Sequence, residues 1–334
     1  MPTSEVNSAT TTLHKRILSI LSIVSACGLL QTAFAAGYPD HPVRLIAPSS
    51  PGGGVDAVAR IIAQKLTEYF HQQVIVVNRP GAAGRIGGEE LARAAPDGYT
   101  LLIAGSSFTS FPALYKNVTF DVARDLAPIS QVITLSNVLI SHPSLPVKTV
   151  KQLIVFGKSH PGQLAFASAG VGSNPHLAME LFLKMTGLEM LHVPYKGIGP
   201  GLIDLIAGEV SLMTPNILSA LVHIRSGKVR AYGVTSAKRS QALPNLPTIA
   251  ESGVPGYEAD QWYGLLAPAG TPRDVITKLS GDVARALREP AIQKRFISDA
   301  AVPVGNSPEE FATIIRADLR KWTKVIEDAG IQAE

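Results

Sequence analysis

The residues best suited to hold something stand in three glycine loops. The first is "LIAPSSPGGGVDAVAR", residues 45 to 60: an apolar run stops at Pro48, then Ser49, Ser50, Pro51 and three glycines precede an amphipathic segment. The second passes through Gly81-Ala82-Ala83-Gly84 and the third through Gly170-Val171-Gly172-Ser173, each between an apolar run and a helical pattern. Small residues let a backbone approach a ligand closely, and free N–H groups at the start of a helix bind negative charge. These loops therefore point to an anion.

Reactive chemistry is poorly supported. No Gly-Lys-Ser/Thr follows any loop at the spacing of a nucleotide phosphate loop. A dinucleotide loop starting at Gly52 needs glycine at 57, where Ala57 stands, although Arg79 at the end of the second strand is placed as an NADP 2′-phosphate partner would be. The bland reading of Arg79 is an exposed loop arginine paired with an acid, and that reading is preferred. Phe166-Ala167-Ser168-Ala169-Gly170 lacks the first glycine of a nucleophile elbow. The eight histidines form no H-x-x-x-H or H-x-H pair, so neither a metal site nor a cofactor is expected.

The elements that must position these loops are short β-branched strands alternating with helices. Strand candidates are 43–47, 74–77, 100–104, 132–140, 164–168, 188–193, 210–213 and 229–235. Val55, Val58, Ile62, Leu66 and Tyr69 share one helical face, as do Leu177, Leu181 and Met185. Such alternation implies parallel sheets with helices on both faces. From Thr271 the chain reads as helices only, with a helix start at Thr271-Pro272 and a capping box at Ser307-Pro308-Glu309-Glu310. Residues 132–140 and 257–267 are long extended stretches that suit two crossings between domains. The expected division is a first lobe of 38–140 plus 258–334 and an inserted second lobe of 141–257.

Residues 1–35 read as a secretory leader: His14, Lys15 and Arg16, an apolar core to Leu30, and Ala33-Phe34-Ala35 as the cleavage site. The expected location is the periplasm, with a lipoprotein anchored at Cys27 as the lesser alternative. Cys27 is the only cysteine of the 334 residues, so a chain cut at Ala35 has no disulfide and no thiolate. Thirty Lys and Arg face 26 Asp and Glu, with no basic run, so no nucleic-acid partner is expected. An exported two-domain α/β chain with anion-ready loops and no catalytic set describes a solute-binding protein that closes on its ligand.

The phrases are more specific than that class. "YPDHPVRLIAPSSPGGGVDAVAR" from Tyr38, "VVNRPGAAGRIGGEELARAAPDGYTLL" from Val76, "FASAGVGSNPHLAMELF" from Phe166, "HVPYKGIGPGLIDLIAGEV" from His192 and "ESGVPGYEADQWYGLLAPAGTP" from Glu251 resemble the Bug-type, TctC-like extracytoplasmic solute receptors of tripartite tricarboxylate transporters. The resemblance implies a type II periplasmic-binding-protein fold, two doubly wound α/β lobes with the ligand cleft between them. It also implies a small organic acid as ligand, integral-membrane permease subunits as partners, a monomer, and no enzyme activity. Carried over to this chain, the ligand-binding set is Ser49, Ser50, Gly52, Gly53, Ser106 and Ser107 on one lobe. On the other it is Ser168, Gly170, Gly172, Ser173 and His176, with Tyr195, Lys196 and Gly197 of the "PYKG" turn facing the cleft. This chain departs from the family at Ser49-Ser50, where an apolar residue is usual, and at Pro215, where an Asp is usual. Asp56 is expected to support the first loop from the first turn of its helix, and Asn216 to lie near the site in a structural role. Alternation on the returning strand puts one of Trp262 and Tyr263 in the core and one in the cleft; Trp262 is expected in the cleft. An exported NADP-dependent oxidoreductase and a receptor that feeds a sensor kinase are the alternatives.

Overall fold

The computed structural model describes residues 37–81, 84–116 and 118–332. The expected leader, Cys27 and the cleavage site at Ala35 lie outside the described residues, as do Ala82 and Ala83 of the second loop. The chain divides into two compact units, Met1–His41 and Pro42–Glu334. In the first, His41 Nδ1 lies 2.6 Å from Asp40 Oδ1. The second contains everything that follows.

Its strands are β1 (Val43–Ala47), β2 (Val74–Asn78), β3 (Thr100–Gly105), β4 (Leu126–Leu135), β5 (Val138–Ser141), β6 (Leu164–Ser168), β7 (Met190–Pro194), β8 (Leu212–Met213), β9 (Arg230–Val234), β10 (Gln261–Pro268) and β11 (Ala301–Pro303). They form two sheets, ordered β11-β4-β10-β3-β1-β2 and β7-β6-β8-β5-β9. The stretch 132–140 is not one strand. It breaks at Ser136-Asn137, so β4 belongs to the first sheet and β5 to the second. The chain returns to the first sheet between Val234 and Gln261.

Each sheet is mixed rather than wholly parallel. β1 runs parallel to β2 and β3, and β6 parallel to β7 and β8. β10 is antiparallel to β3 and β4, and β5 antiparallel to β8 and β9. Parallel neighbours need a crossover connection to bring the chain back to the same end. β5 and β10 are entered directly from the other sheet, without one. The stretch from Thr271, expected to be helices only, contains a strand as well: β11 pairs antiparallel with β4, and its three residues are too few to show a period.

The last helix, Pro308–Asp328, starts at the expected capping box: Ser307 Oγ accepts from the Glu310 N–H at 3.2 Å, and Glu310 Oε2 accepts from the Ser307 N–H at 2.9 Å. Its apolar stripe serves both sheets. Phe311 and Ile315 pack with Ile46, Leu102 and Trp262. Trp322, Val325 and Ile326 pack with Leu139, Phe166 and Phe182. Burying one such side chain contributes about 1.5–3 kcal/mol, so the helix fastens the two layers together.

Candidate functional site

A cleft of about 450 Å³ is lined by residues that follow strands of both sheets: Pro48 after β1, Ser106 and Ser107 after β3, Gly172 and Ser173 after β6, and Asn216 after β8. Ligands of open α/β sheets gather at these carboxyl ends of parallel strands. Gln261 and Tyr263 of β10 complete the wall. The Tyr263 side chain lies against Gly54 and Gly105, where added Cβ atoms would meet its hydroxyl at 3.3 Å and its ring at 3.5 Å. Those glycines open the room in which the phenol stands. Among the described residues, no carboxylate, amine, guanidinium or imidazole is in the lining.

The first glycine loop is held from behind. Asp56 is 2% exposed and accepts from the Gly52 N–H at 2.9 Å, Arg60 Nε at 3.0 Å and Asn78 Nδ2 at 2.9 Å. Asn78 Nδ2 also donates to the Ser49 carbonyl at 3.0 Å. The Arg60 hydrogen bond is the largest cause holding the Asp56 carboxyl down at about 2. Asp56 does not line the cleft; its bonds fix the loop's shape. The Ser49 hydroxyl is buried and has no hydrogen-bond partner, and Ser50 is exposed.

The third loop is held in the same manner. Ser168 is fully buried; its Oγ accepts from the Gly170 N–H at 3.1 Å and lies 2.7 Å from His192 Nε2. His176, 3% exposed, accepts from the Gly172 N–H through Nδ1 at 3.0 Å, while its Nε2 faces Glu180 Oε1 at 3.3 Å. The His176 and His192 rings stack with centroids 3.8 Å apart. Burial, and next the neighbouring His176, lower His192 to about 4. Gly172 has φ +73°, and a Cβ there would stand 2.4 Å from Leu114 Cδ1. Leu114, in the segment that follows β3 of the first sheet, therefore seats on the loop that follows β6 of the second.

Where the chain crosses between sheets, polar residues tie the two crossings together. Asn137 Nδ2 donates to Asn174 Oδ1 at 2.5 Å, and Gln261 Nε2 donates to Asn137 Oδ1 at 2.9 Å. Asp260 accepts from Thr235 Oγ1 at 3.0 Å and Ser136 Oγ at 3.3 Å, and its burial raises the carboxyl to about 7.

Of the residues expected to bind ligand, Ser106, Ser107, Gly172 and Ser173 line the cleft, and so does Asn216. Ser49, Ser50, Gly52, Gly53, Ser168, Gly170 and His176 do not; the bonds above turn most of them toward their own loops. Tyr195, Lys196 and Gly197 are also outside the lining. The Tyr195 hydroxyl donates to Asp204 Oδ2 at 2.7 Å, Lys196 is exposed, and the neighbouring Ile198 lines the cleft instead. Trp262 is a correction. It is 3% exposed in the first-lobe core, its Nε1–H donates to Asp318 Oδ2 at 2.7 Å, and its ring meets Phe311 edge-on. Tyr263 takes the cleft side. Arg79 donates to Glu90 Oε2 at 2.8 Å through Nε, so it is committed to an acid. Sequence reasoning missed Gln261 and Asn174, which carry no motif; only their places beside the expected crossing and the third loop marked them.

Residues 58–331 match the tripartite tricarboxylate transporter family receptors. Protein BugT of Bordetella pertussis is 36% identical over 318 residues, covering 94% of this chain and 98% of that protein. Among solved structures, Rpa4515 of R. palustris with adipate is 36% identical at a TM-score of 0.77, covering 89% of this chain and 100% of that one. MatC of Rhodopseudomonas palustris with bound malate is 29% identical at 0.73, covering 86% and 100%. The shared architecture is the periplasmic-binding-protein fold. The chain thus belongs to the tripartite tricarboxylate transporter receptors, as a Bug-type, TctC-like solute-binding protein.

Proposed function

We propose that this protein captures a small organic carboxylate between its lobes in the periplasm and delivers it, unchanged and as a monomer, to the permease subunits of a tripartite tricarboxylate transporter. The observation that carries the reading is a cleft in which hydroxyls and amides from both sheets stand among apolar side chains such as Val55, Phe111 and Ile198, with no charged side chain among the described residues of its lining. Such a site grips an anion with hydrogen bonds and offers no acid–base pair or activated nucleophile to react with it. Hydrogen bonds to an ionised group contribute about 1.5–3 kcal/mol each, so three or four hold a desolvated carboxylate without a counter-ion. The contacts proposed are Ser106, Ser107 and Tyr263 from one lobe, and Asn174 and Asn216 from the other; the Ser173 hydroxyl and N–H both donate to the Gly170 carbonyl, at 2.7 and 3.1 Å, and shape the loop beside them. Adipate and malate in the two relatives are acids of the matching kind.

Thermal shift and isothermal titration with adipate, malate and succinate and their diamides test the capture step. At least one acid is expected to raise the melting temperature while its diamide does not; stabilisation by NADPH and by none of the acids would favour the oxidoreductase instead. Delivery is tested in cells that carry the permease: deleting the receptor should abolish uptake of the acid it binds.

A further inference from the structure

One carboxyl group stands where the two lobes are joined, and carboxylate capture by the cleft lining leaves it without a role. Asp260 ends the second crossing, directly before β10. Its Oδ2 accepts from Ser136 Oγ of the first crossing at 3.3 Å, and its Oδ1 from Thr235 Oγ1 at the start of the second at 3.0 Å. Thr235 is fully buried, and its Oγ1 also accepts from the Asn137 N–H at 2.9 Å. Asn137, likewise fully buried, donates to Asn174 through Nδ2 and accepts from Gln261 through Oδ1. Asn174 and Gln261 line the cleft. Hydrogen bonds thus run from Asp260 through Thr235 and Asn137 to the cleft wall, and Gln261 is also the next residue of the chain.

The charges around Asp260 do not balance it. One cation, Lys321 on the last helix, is shared by three acids, Glu258, Asp260 and Asp318. Its ammonium donates to the Glu258 backbone carbonyl at 2.6 Å rather than to the Asp260 carboxylate. The Glu258 side chain is exposed, and Asp318 takes the Trp262 indole N–H. Tyr257, the other titratable neighbour, donates to the Ala178 carbonyl at 2.8 Å, and burial pushes its phenol above the usual range. Asp260 is therefore held by two hydroxyls and no cation. Burial is the largest cause raising it to about 7, so both of its forms are populated at neutral pH. The ionised form accepts from both hydroxyls; the neutral form returns its hydrogen to Ser136 Oγ. An acid in the cleft brings a second negative charge to the wall that Gln261 belongs to, and a like charge favours the neutral form of a carboxyl.

We propose that Asp260 is a proton site coupled to capture: the acid binds together with a proton taken up on this carboxyl, and neutralising Asp260 tightens the grip of the cleft. This rests on the carboxylate-capture reading above and adds its regulation. Asp260 is outside the lining, so it acts through the crossings as a positioning residue. Coupling is reciprocal. The complex holds more protons than the free protein, and affinity falls as pH rises through the range in which Asp260 ionises.

Isothermal titration of the intact protein with adipate, malate and succinate, at about pH 7.5 in phosphate and in Tris, reads the protons exchanged from the difference in apparent enthalpy. The acids themselves are ionised at that pH and contribute little. With a coupling of about tenfold, an uptake of about 0.3–0.5 proton per bound acid is expected, and a loss of affinity of about five- to tenfold between pH 6 and pH 9. Asp260→Asn keeps the shape of the neutral carboxyl and an N–H for Ser136; it should bind without uptake and with an affinity independent of pH over that range. No uptake by the wild type, proton release, or an uptake that persists in Asp260→Asn overturns this proposal while leaving capture standing. Binding of none of the three acids overturns both. If the variant does not fold, the wild-type profile still decides: uptake should be largest between about pH 7 and pH 8, and a maximum elsewhere assigns the proton to another group and overturns the proposal.

Discussion

Asp56 makes a claim that can be worked through in numbers. Its carboxylate gathers the Gly52 N–H, Arg60 and Asn78, and the resulting value of about 2 compares with an ordinary 3.8. A group whose folded value is depressed stabilises the protein above its unfolded value, and that contribution is lost as pH falls through the folded value. The full displacement corresponds to a ceiling of about 2.4 kcal/mol. Arg60, the main cause, is 55% exposed at its side chain, so solvent screening trims this to about 1–2 kcal/mol. Asp56→Asn should therefore cost about 1–2 kcal/mol at pH 7, a fall of about 2–6 °C in melting temperature for a chain of this size. About half of the difference between wild type and variant should remain at pH 3, because the Asp56 carboxylate is still mostly ionised there in the folded state. Thermal melts of both proteins without ligand, from pH 7 to pH 3, provide the measurement. A variant as stable as wild type at pH 7, or a gap that keeps its size down to pH 3, refutes the argument that this carboxylate braces the first loop. The absence of ligand matters: a purely ligand-contacting Asp56 would leave the unliganded protein unchanged.

Other expectations follow from the same geometry. Tyr263→Phe removes one uncommitted donor and should weaken binding of whichever acid is captured by about five- to tenfold in titration, with the unliganded melting temperature within about 1 °C of wild type. Gly172→Ala meets both φ +73° and Leu114 at 2.4 Å, so it should destabilise by at least about 1 kcal/mol and lower ligand affinity more than Tyr263→Phe does. Ser49→Ala deletes a buried hydroxyl with no partner; stability should be unchanged or slightly raised and affinity unaltered, and a tenfold loss of affinity would reinstate Ser49 as a ligand contact. His192 is lowered from 6.5 to about 4 by burial and by His176. The unfolded chain then binds a proton that the native state does not, so stability should decline as pH falls from 6.5 toward 4. His192→Gln should show a shallower decline over that window in pH-dependent melts, and equal slopes would contradict the assignment.

Much of this protein was written locally. The strands at 43–47 and 164–168, the glycine turns after them and the capping box at Ser307 depend on neighbours within a few residues, so period and spacing revealed them. The family phrases were legible for the same reason. What chain order could not supply was the direction in which a polar group is spent. Ser168 and His176 sit in the third loop as ligand contacts would, yet His192, 24 residues beyond Ser168, and the Gly172 N–H claim them. Alternation on β10 established that Trp262 and Tyr263 face opposite ways, but not which way. That choice was made by Asp318 and Phe311 on the last helix, which receive the indole, and by two glycines on separate elements, Gly54 at the start of the helix Gly54–Phe70 and Gly105 at the end of β3, that leave space for the phenol. Sequence thus determined the parts and their local turns; only the packing of segments tens to hundreds of residues apart decided which donors stay free to meet a ligand.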